Sequence, residues 1–320
     1  MNTSSIKVKK KLLIVCIQLA LIVLLFKWCF NTVKWEKFIE IISSTSFSLF
    51  TIVLIQRFFP WIFLGFRLHS LFGKKLIIVD GIKASLLCVG LNSVLPSRAG
   101  DIAKVGWVKM NSGLAFYDLL GGIFIERLLD VSILSIAVLF VLFSLSLHEY
   151  ALLFISLSCL MWIVLTFVRY KTRLFLYIIS YVVNKHNFHW LAHVIWKIKK
   201  KLVKDTLIKA IVFSICIWLM NFLHVLLVTM LLTDITISIY AISLMFVAVF
   251  ASSSFGLVPG GIGVMESAVL YIATDLIYLD MTYAFVLATY FRFFYSVPSV
   301  LSATIVIVTS KYKLPSADNA

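Results

Sequence analysis

Residues 252–270 read SSSFGLVPGGIGVMESAVL, and the fold turns on how this stretch is understood. Apolar and small residues on either side look like membrane helix, but the middle holds Pro259, Gly260, Gly261 and Gly263. Proline removes a backbone donor and glycine takes dihedrals that other residues avoid, so a helix breaks inside a hydrophobic segment. Broken backbone at membrane depth is tolerated only where protein buries it or a wet cavity faces it. Glu266 follows, in the first turns of a new helix, and an ionisable side chain there marks a candidate functional site. The same residues also suit a surface loop between two helices, with Glu266 complementing a helix dipole.

Composition places the break in a membrane protein. The 320 residues are 62% hydrophobic and 13% charged, with mean hydropathy +1.05. Soluble domains average about 45–50% apolar and about 25% charged residues. The net charge of +15 sits in loops beside hydrophobic spans. Membrane topology and anionic headgroups account for it without a nucleic-acid partner. Five cysteines (Cys16, Cys29, Cys88, Cys159, Cys216) are scattered without a CxxC pair, so neither a disulfide framework nor a metal site is expected. Lys7, Lys9, Lys10 and Lys11 precede an apolar run that is long for a signal peptide and lacks a small-residue cleavage site. An uncleaved first helix is expected.

Charge asymmetry then orders the spans. Residues 12–30 form the first, with the lysine cluster on the cytoplasmic side. Residues 47–66 form the second, interrupted by Arg57 and Pro60 and returning to Arg67, Lys74 and Lys75; Arg57 is expected to face the bundle interior. Further spans cover residues 119–147, 151–168, 211–232 and 283–309. Residues 169–210 carry many bases against Asp205 alone, so this loop is read as cytoplasmic. Within it Phe188, Leu191, Ile195, Ile198 and Leu202 recur at helical spacing, opposite lysines. That pattern predicts an interfacial amphipathic helix, with Lys197–Lys204 facing anionic lipid. His186, His189 and His193 have no acidic partner among them and are not read as metal ligands.

Parity now constrains the rest. Residues 76–118 must start and end in the cytoplasm, yet 101–118 is too polar for an ordinary span. A hairpin dipping in and returning satisfies both. Residues 237–280 must start and end outside, as two spans or as a second hairpin from the opposite face. Breaks entering from opposite sides would meet near the midplane, as in transporters with inverted repeats. The expected fold is an all-α polytopic membrane protein. It has about six full transmembrane helices, two broken or re-entrant hairpins and both termini inside, as a single domain over residues 1–320.

Three charged constellations lie at membrane depth or its edge. The first is Asn92, Pro96, Arg98, Gly100, Asp101 and Lys104, where Pro96 ends one helix and Asp101 and Lys104 lie a turn apart on the next. The second is Glu126, Arg127 and Asp130, whose spacing allows an ion pair on one helix face. The third runs from Pro259 and Gly260 through Gly261 and Gly263 to Glu266, with Arg292 on the following span. Each also has a structural reading, as an orienting ion pair or as a base snorkelling to phosphates. A helix start beside a guanidinium suits phosphate. The chain lacks GxSxG, HExxH and GxxxxGK[ST] motifs, so neither an enzyme nor a resident cofactor is expected.

The segments LNSVLPSRAGDIAKVGWVK (91–109), ERLLDVSIL (126–134) and SSFGLVPGGIGVMESAVL (253–270), in this order and spacing, resemble the lysylphosphatidylglycerol synthase transmembrane region, also called flippase-like integral membrane proteins. The resemblance covers nearly the whole chain. It implies a helical domain that translocates or handles charged or glycosylated lipids, aminoacyl- or polyprenyl-linked, in a prokaryotic cytoplasmic membrane. Two-domain relatives carry a C-terminal aminoacyltransferase domain that is not expected here. The resemblance places polar motif positions on Asn92, Pro96, Arg98, Gly100 and Asp101, on Arg127 and Asp130, and on Pro259, Gly261, Gly263 and Glu266. Met265 stands where relatives often have arginine, which argues against a base contacting phosphate there.

The expected function is lipid handling. A polar cavity between the breaks would shelter a headgroup, Arg98, Lys104 and Arg127 would attract phosphate, and Asp101, Asp130 and Glu266 would pair those bases or hold a cationic head. One alternative is a non-catalytic subunit that docks a separate glycosyltransferase or aminoacyltransferase. Another is an ion-coupled solute transporter using Glu266 and Asp130 as a relay.

Overall fold

The structure is a computed structural model. It describes residues 27, 31–95, 98–144, 155–156, 159–160, 162–163, 166–174, 176–177, 185–232, 235, 237–252 and 259–310. The expected first span at 12–30, most of 151–168, Pro96 and the side chains of Pro259, His186 and Phe188 lie outside the described residues. What is described is helical throughout: a polytopic membrane fold of α1 (Trp35–Ser44), α2 (Phe47–Gln56), α3 (Phe58–Phe72), α4 (Ile78–Val94), α5 (Ala99–Ser112), α6 (Phe116–Ser144), α7 (Lys185–Lys201), α8 (Lys204–Thr229), α9 (Ile239–Ser252), α10 (Val264–Tyr271) and α11 (Met281–Thr309).

Three segments among the described residues are long and apolar enough to cross a membrane: Phe47–Lys75, Lys204–Thr229 and Met281–Thr309. At ~1.5 Å per residue, 26 residues of α8 extend ~39 Å, beyond the ~30 Å hydrocarbon layer. The first of these segments is composite. Arg57 keeps helical dihedrals (φ −62°, ψ −23°) between α2 and α3, while Pro60 has no N–H to reach back to Gln56, so the hydrogen-bond ladder is interrupted there.

Two hairpins differ from these spans in length. Helix α4 has 17 residues and α5 has 14, ~26 Å and ~21 Å at the same rise. Helix α9 has 14 residues and α10 eight, the latter extended by a π-type turn at Ile272–Leu276. Among the described residues neither α4 nor α5 matches the hydrocarbon thickness, which favours a dipping hairpin there over a pair of full spans. In the first hairpin α5 folds back along α4. Gly100 makes this approach feasible, since a Cβ there would strike the Cys88 carbonyl and the Asn92 side chain. In the second, α9 and α10 pack on each other beside the turn Pro259–Gly261.

The two breaks touch. A Cβ on Gly260 would stand 2.6 Å from the Ser93 carbonyl, and Gly260 itself has φ +56°, so both space and conformation require glycine. Helix α4 is clamped from behind by α11, where Ser93 Oγ and Ser299 Oγ lie 2.8 Å apart.

Two expectations need correction. Arg67 is no loop base: it is 1% exposed and lies inside α3, because the helix runs on to Phe72 before the chain turns. Helix α7 is amphipathic as predicted, but its apolar face does not rest on lipid. Ile195, Ile198 and Leu202 are buried in one cluster with Phe72, Leu119 and Ile125. Lys197 pairs with Asp118 at 2.9 Å, and Lys201 donates to the Leu71 carbonyl at 2.8 Å above the Phe72 ring. Lys200 and Lys204 remain exposed.

Burial of Lys201 pulls its ammonium down from the usual 10.5 to about 8, against the favourable charge of Asp118. Between these values the unfolded chain binds the extra proton, so this residue's contribution makes stability rise as pH increases from 8 towards 10.5. Thermal unfolding at several pH values should therefore show a rise in that window that Lys201→Met lacks. A parallel pH response in the two proteins would contradict it.

Candidate functional site

The second and first constellations converge with Arg67 into one ion network. From α3, Arg67 donates through Nη1 and Nη2 to Asp130 Oδ1 and Oδ2 at 2.6 and 3.2 Å, and through Nε to Glu126 at 3.4 Å. Its Nη1 also reaches Ser214 Oγ on α8 at 3.0 Å. From α5, Lys104 Nζ lies 2.5 Å from Glu126 Oε2. Arg127 bonds Asp101 at 2.7 Å and stands 3.6 Å from Asp130. Glu126 is 0% and Lys104 3% exposed. Three cations thus meet three carboxylates, and the cluster is electroneutral. In a low-dielectric interior any uncompensated member would cost several kcal/mol, so pairing is the condition for holding six charges there.

A smaller pair holds the second break. Arg292 on α11 engages the Glu266 carboxylate through Nε and, at 2.7 Å, through Nη2. It also donates to the carbonyls of Gly260 at 2.8 Å and Gly261 at 3.3 Å. Glu266 Oε2 in turn accepts from Gly263 N–H at 2.8 Å, half of a capping box. Helix α10 therefore closes its own start, and Glu266 and Arg292 act as a clasp on the turn rather than as open ligands. Asn92 does the like for α5, accepting from Gly100 N–H at 2.8 Å, and Asp101 accepts from the Cys88 thiol at 3.2 Å.

Between these groups lies a cavity of about 400 Å³, within the usual range for small-ligand sites. Of the predicted residues, Asn92, Arg98, Lys104, Arg127, Asp130 and Gly261 line it, as does Gly260. Asp101 and Glu126 stand behind as counter-ions; Gly263, Glu266 and Arg292 support the turn. Both hairpin breaks thus reach one space, and the sites read separately along the chain form one.

The cavity also holds what sequence reading left out of the site. Arg57, expected only to face inward, is 2% exposed and lines the wall with Trp61, Trp218, Asn221 and Tyr295. Its Nη1 donates to Asn221 Oδ1 at 3.0 Å, and its guanidinium lies 5.3 Å from the Trp61 ring centroid and 4.9 Å from that of Tyr295. No carboxylate reaches it among the described residues. Beside it Gln56 gives its amide to the Met220 carbonyl at 2.7 Å, so its oxygen accepts from His224 Nδ1 at 2.9 Å. Arg98 sits at the first hairpin's tip with φ +55°, a conformation costing a non-glycine residue roughly 1–2 kcal/mol. Its side chain makes no ion pair or hydrogen bond among the described residues. Arg57 Nε, Arg127 Nε and Trp218 Nε1 are buried and find no acceptor among the described residues. No group of ligands suited to a metal is present among the described residues.

Asn221 and His224 in an otherwise apolar helix, and Arg57 before Pro60 in an apolar run, were the signals available in sequence. Intramembrane polar residues are functional candidates by default.

Comparison with known families agrees with the motif reading. No curated protein matches the chain. A family model described as "Lysylphosphatidylglycerol synthase TM region" matches residues 15–303, which takes in both hairpins, the ion network and the cavity. The chain belongs to the lysylphosphatidylglycerol synthase TM region family of membrane proteins.

Proposed function

We propose that this protein moves or handles a lipid in the cytoplasmic membrane of a prokaryote, taking the headgroup into the cavity while the acyl or prenyl chains stay in the bilayer. The observation that carries this reading is the meeting of two broken hairpins at a polar, arginine-bearing cavity inside an apolar bundle. A headgroup crossing hydrocarbon alone would lose its hydration without compensation. The cavity supplies N–H donors and aromatic faces in its place. The chain's own residues would bind, orient and shield the head, with no chemical step, so the reading is a transporter-like one rather than an enzyme.

Purified protein reconstituted into liposomes with a labelled phospholipid in one leaflet tests this. The native protein should speed transfer to the other leaflet well above protein-free vesicles. Arg98→Ala should cut that rate by about tenfold, the worth of one charge-assisted hydrogen bond. Transfer equal to protein-free vesicles across phospholipid classes, or an unaffected Arg98→Ala variant, would refute it. If the protein instead co-purified with a soluble transferase and moved no lipid, the scaffold reading would replace it.

A further inference from the structure

We propose that the cavity selects a compact head bearing a doubly charged phosphate, a monoester or pyrophosphate, over a cationic or zwitterionic one. This rests on the lipid-handling reading above and names its substrate class.

The inference comes from which charges are already spent. Arg67, Lys104 and Arg127 are matched by Asp101, Glu126 and Asp130, and Arg292 by Glu266. Asp130 is the carboxylate residue that lines the cavity, and both its oxygens are taken by Arg67. An ammonium head would find no free carboxylate there among the described residues. Two cations remain. Arg57 is buried with a neutral amide and two aromatic faces around it. Arg98 stands at the same cavity's edge, with no side-chain partner among the described residues. A guanidinium carries five N–H donors, and among the described residues the Arg57 side chain gives one hydrogen bond, to Asn221.

A surplus of two positive charges matches the roughly −1.5 to −2 of a phosphate monoester at neutral pH. It exceeds the single charge of a phosphodiester. The volume of about 400 Å³ accommodates a compact phosphate head. The phosphate chemistry could come from a lipid or from a free anion, and the test separates the two.

Binding is measured on the full chain in detergent with four probes: phosphatidic acid, phosphatidylglycerol, lysyl-phosphatidylglycerol and inorganic pyrophosphate. The expected order places phosphatidic acid about tenfold or more tighter than phosphatidylglycerol, with the lysyl lipid weakest. Arg57→Met and Arg98→Ala should each weaken phosphatidic acid by about tenfold. Arg98 is partly exposed, so its variant keeps the test valid should Arg57→Met fold poorly. Tighter binding of the lysyl lipid, or phosphatidic acid binding indifferent to both substitutions, would overturn the charge inference while leaving lipid handling intact. Pyrophosphate bound in an arginine-dependent way as tightly as any lipid would keep the charge inference and defeat the lipid reading.

Discussion

Arg57→Met combined with Asn221→Leu is expected to stabilise the lipid-stripped protein by about 1–3 kcal/mol and to weaken its response to phosphate lipids. Arg57 is 2% exposed, and among the described residues no carboxylate reaches it. Burying an ion costs several kcal/mol in real proteins, and well-packed apolar replacements of buried charges are often neutral or stabilising by about 1–4 kcal/mol. The two flanking rings return up to ~2 kcal/mol through cation–π attraction, and Asn221 returns one hydrogen bond. These offset the penalty only in part. Replacing Asn221 as well matters, because Arg57→Met alone would strand its buried oxygen at about 1–3 kcal/mol. A charge kept at such a site against stability is the signature of a ligand group. Thermal unfolding should show a raised midpoint in the double variant. Added phosphatidic acid should raise the native protein's midpoint more than the variant's. A double variant less stable than the native protein would mean that Arg57 is structural.

The opposite sign is expected at the ion network. Glu126→Leu removes the partner of Lys104 and one of the two carboxylates on Arg67. Lys104 is 3% exposed and would be left as an uncompensated buried charge. A loss of about 3–5 kcal/mol follows, enough to deplete folded protein in the membrane. Adding Lys104→Met removes a charge of the other sign, so the cluster is neutral again and much of the loss should return. The coupling between the two sites, read from single and double variants by unfolding midpoints, should reach a few kcal/mol. Additive effects would show that the short contact carries little energy.

These two variants separate the roles that sequence could not. Pro259 with its glycines, and the motif around Pro96, announce breaks because their backbone chemistry is local. Glu126, Arg127 and Asp130 stand out because ionisable residues are rare in apolar helices. What was not legible is who pairs with whom. The i,i+3 spacing suggested Arg127 with Asp130, but that contact is 3.6 Å, while Arg67 from another helix takes Asp130 at 2.6 Å. A helix that is apolar all round gives no azimuth, so its facing residues emerge only on packing. Lys74 and Lys75 follow Arg67 closely and give it the look of a loop base. Its burial comes from α3 running on to Phe72, nearly two turns beyond the end that hydropathy suggests. Helix α7 shows the complementary ambiguity: an apolar stripe specifies burial, but protein and lipid satisfy it equally. Lys197 and Lys201 are engaged by the protein itself, while Lys200 and Lys204 are exposed.

The grouping of the three motifs was the firmest part of the reading. Their residues meet at one cavity because Gly260 abuts Ser93 and α5 carries Lys104 across to Glu126 on α6. Arg57 and Asn221 complete the wall from α2–α3 and α8, outside every motif. They are the residues that give the cavity its surplus of charge.

The most direct test of the account is native mass spectrometry of the protein released gently from its own membrane, with identification of what it retains. The account predicts a retained lipid bearing a phosphate monoester or pyrophosphate, strongly depleted in Arg57→Met. Bulk phospholipid alone, held equally by the native protein and the variant, would contradict it.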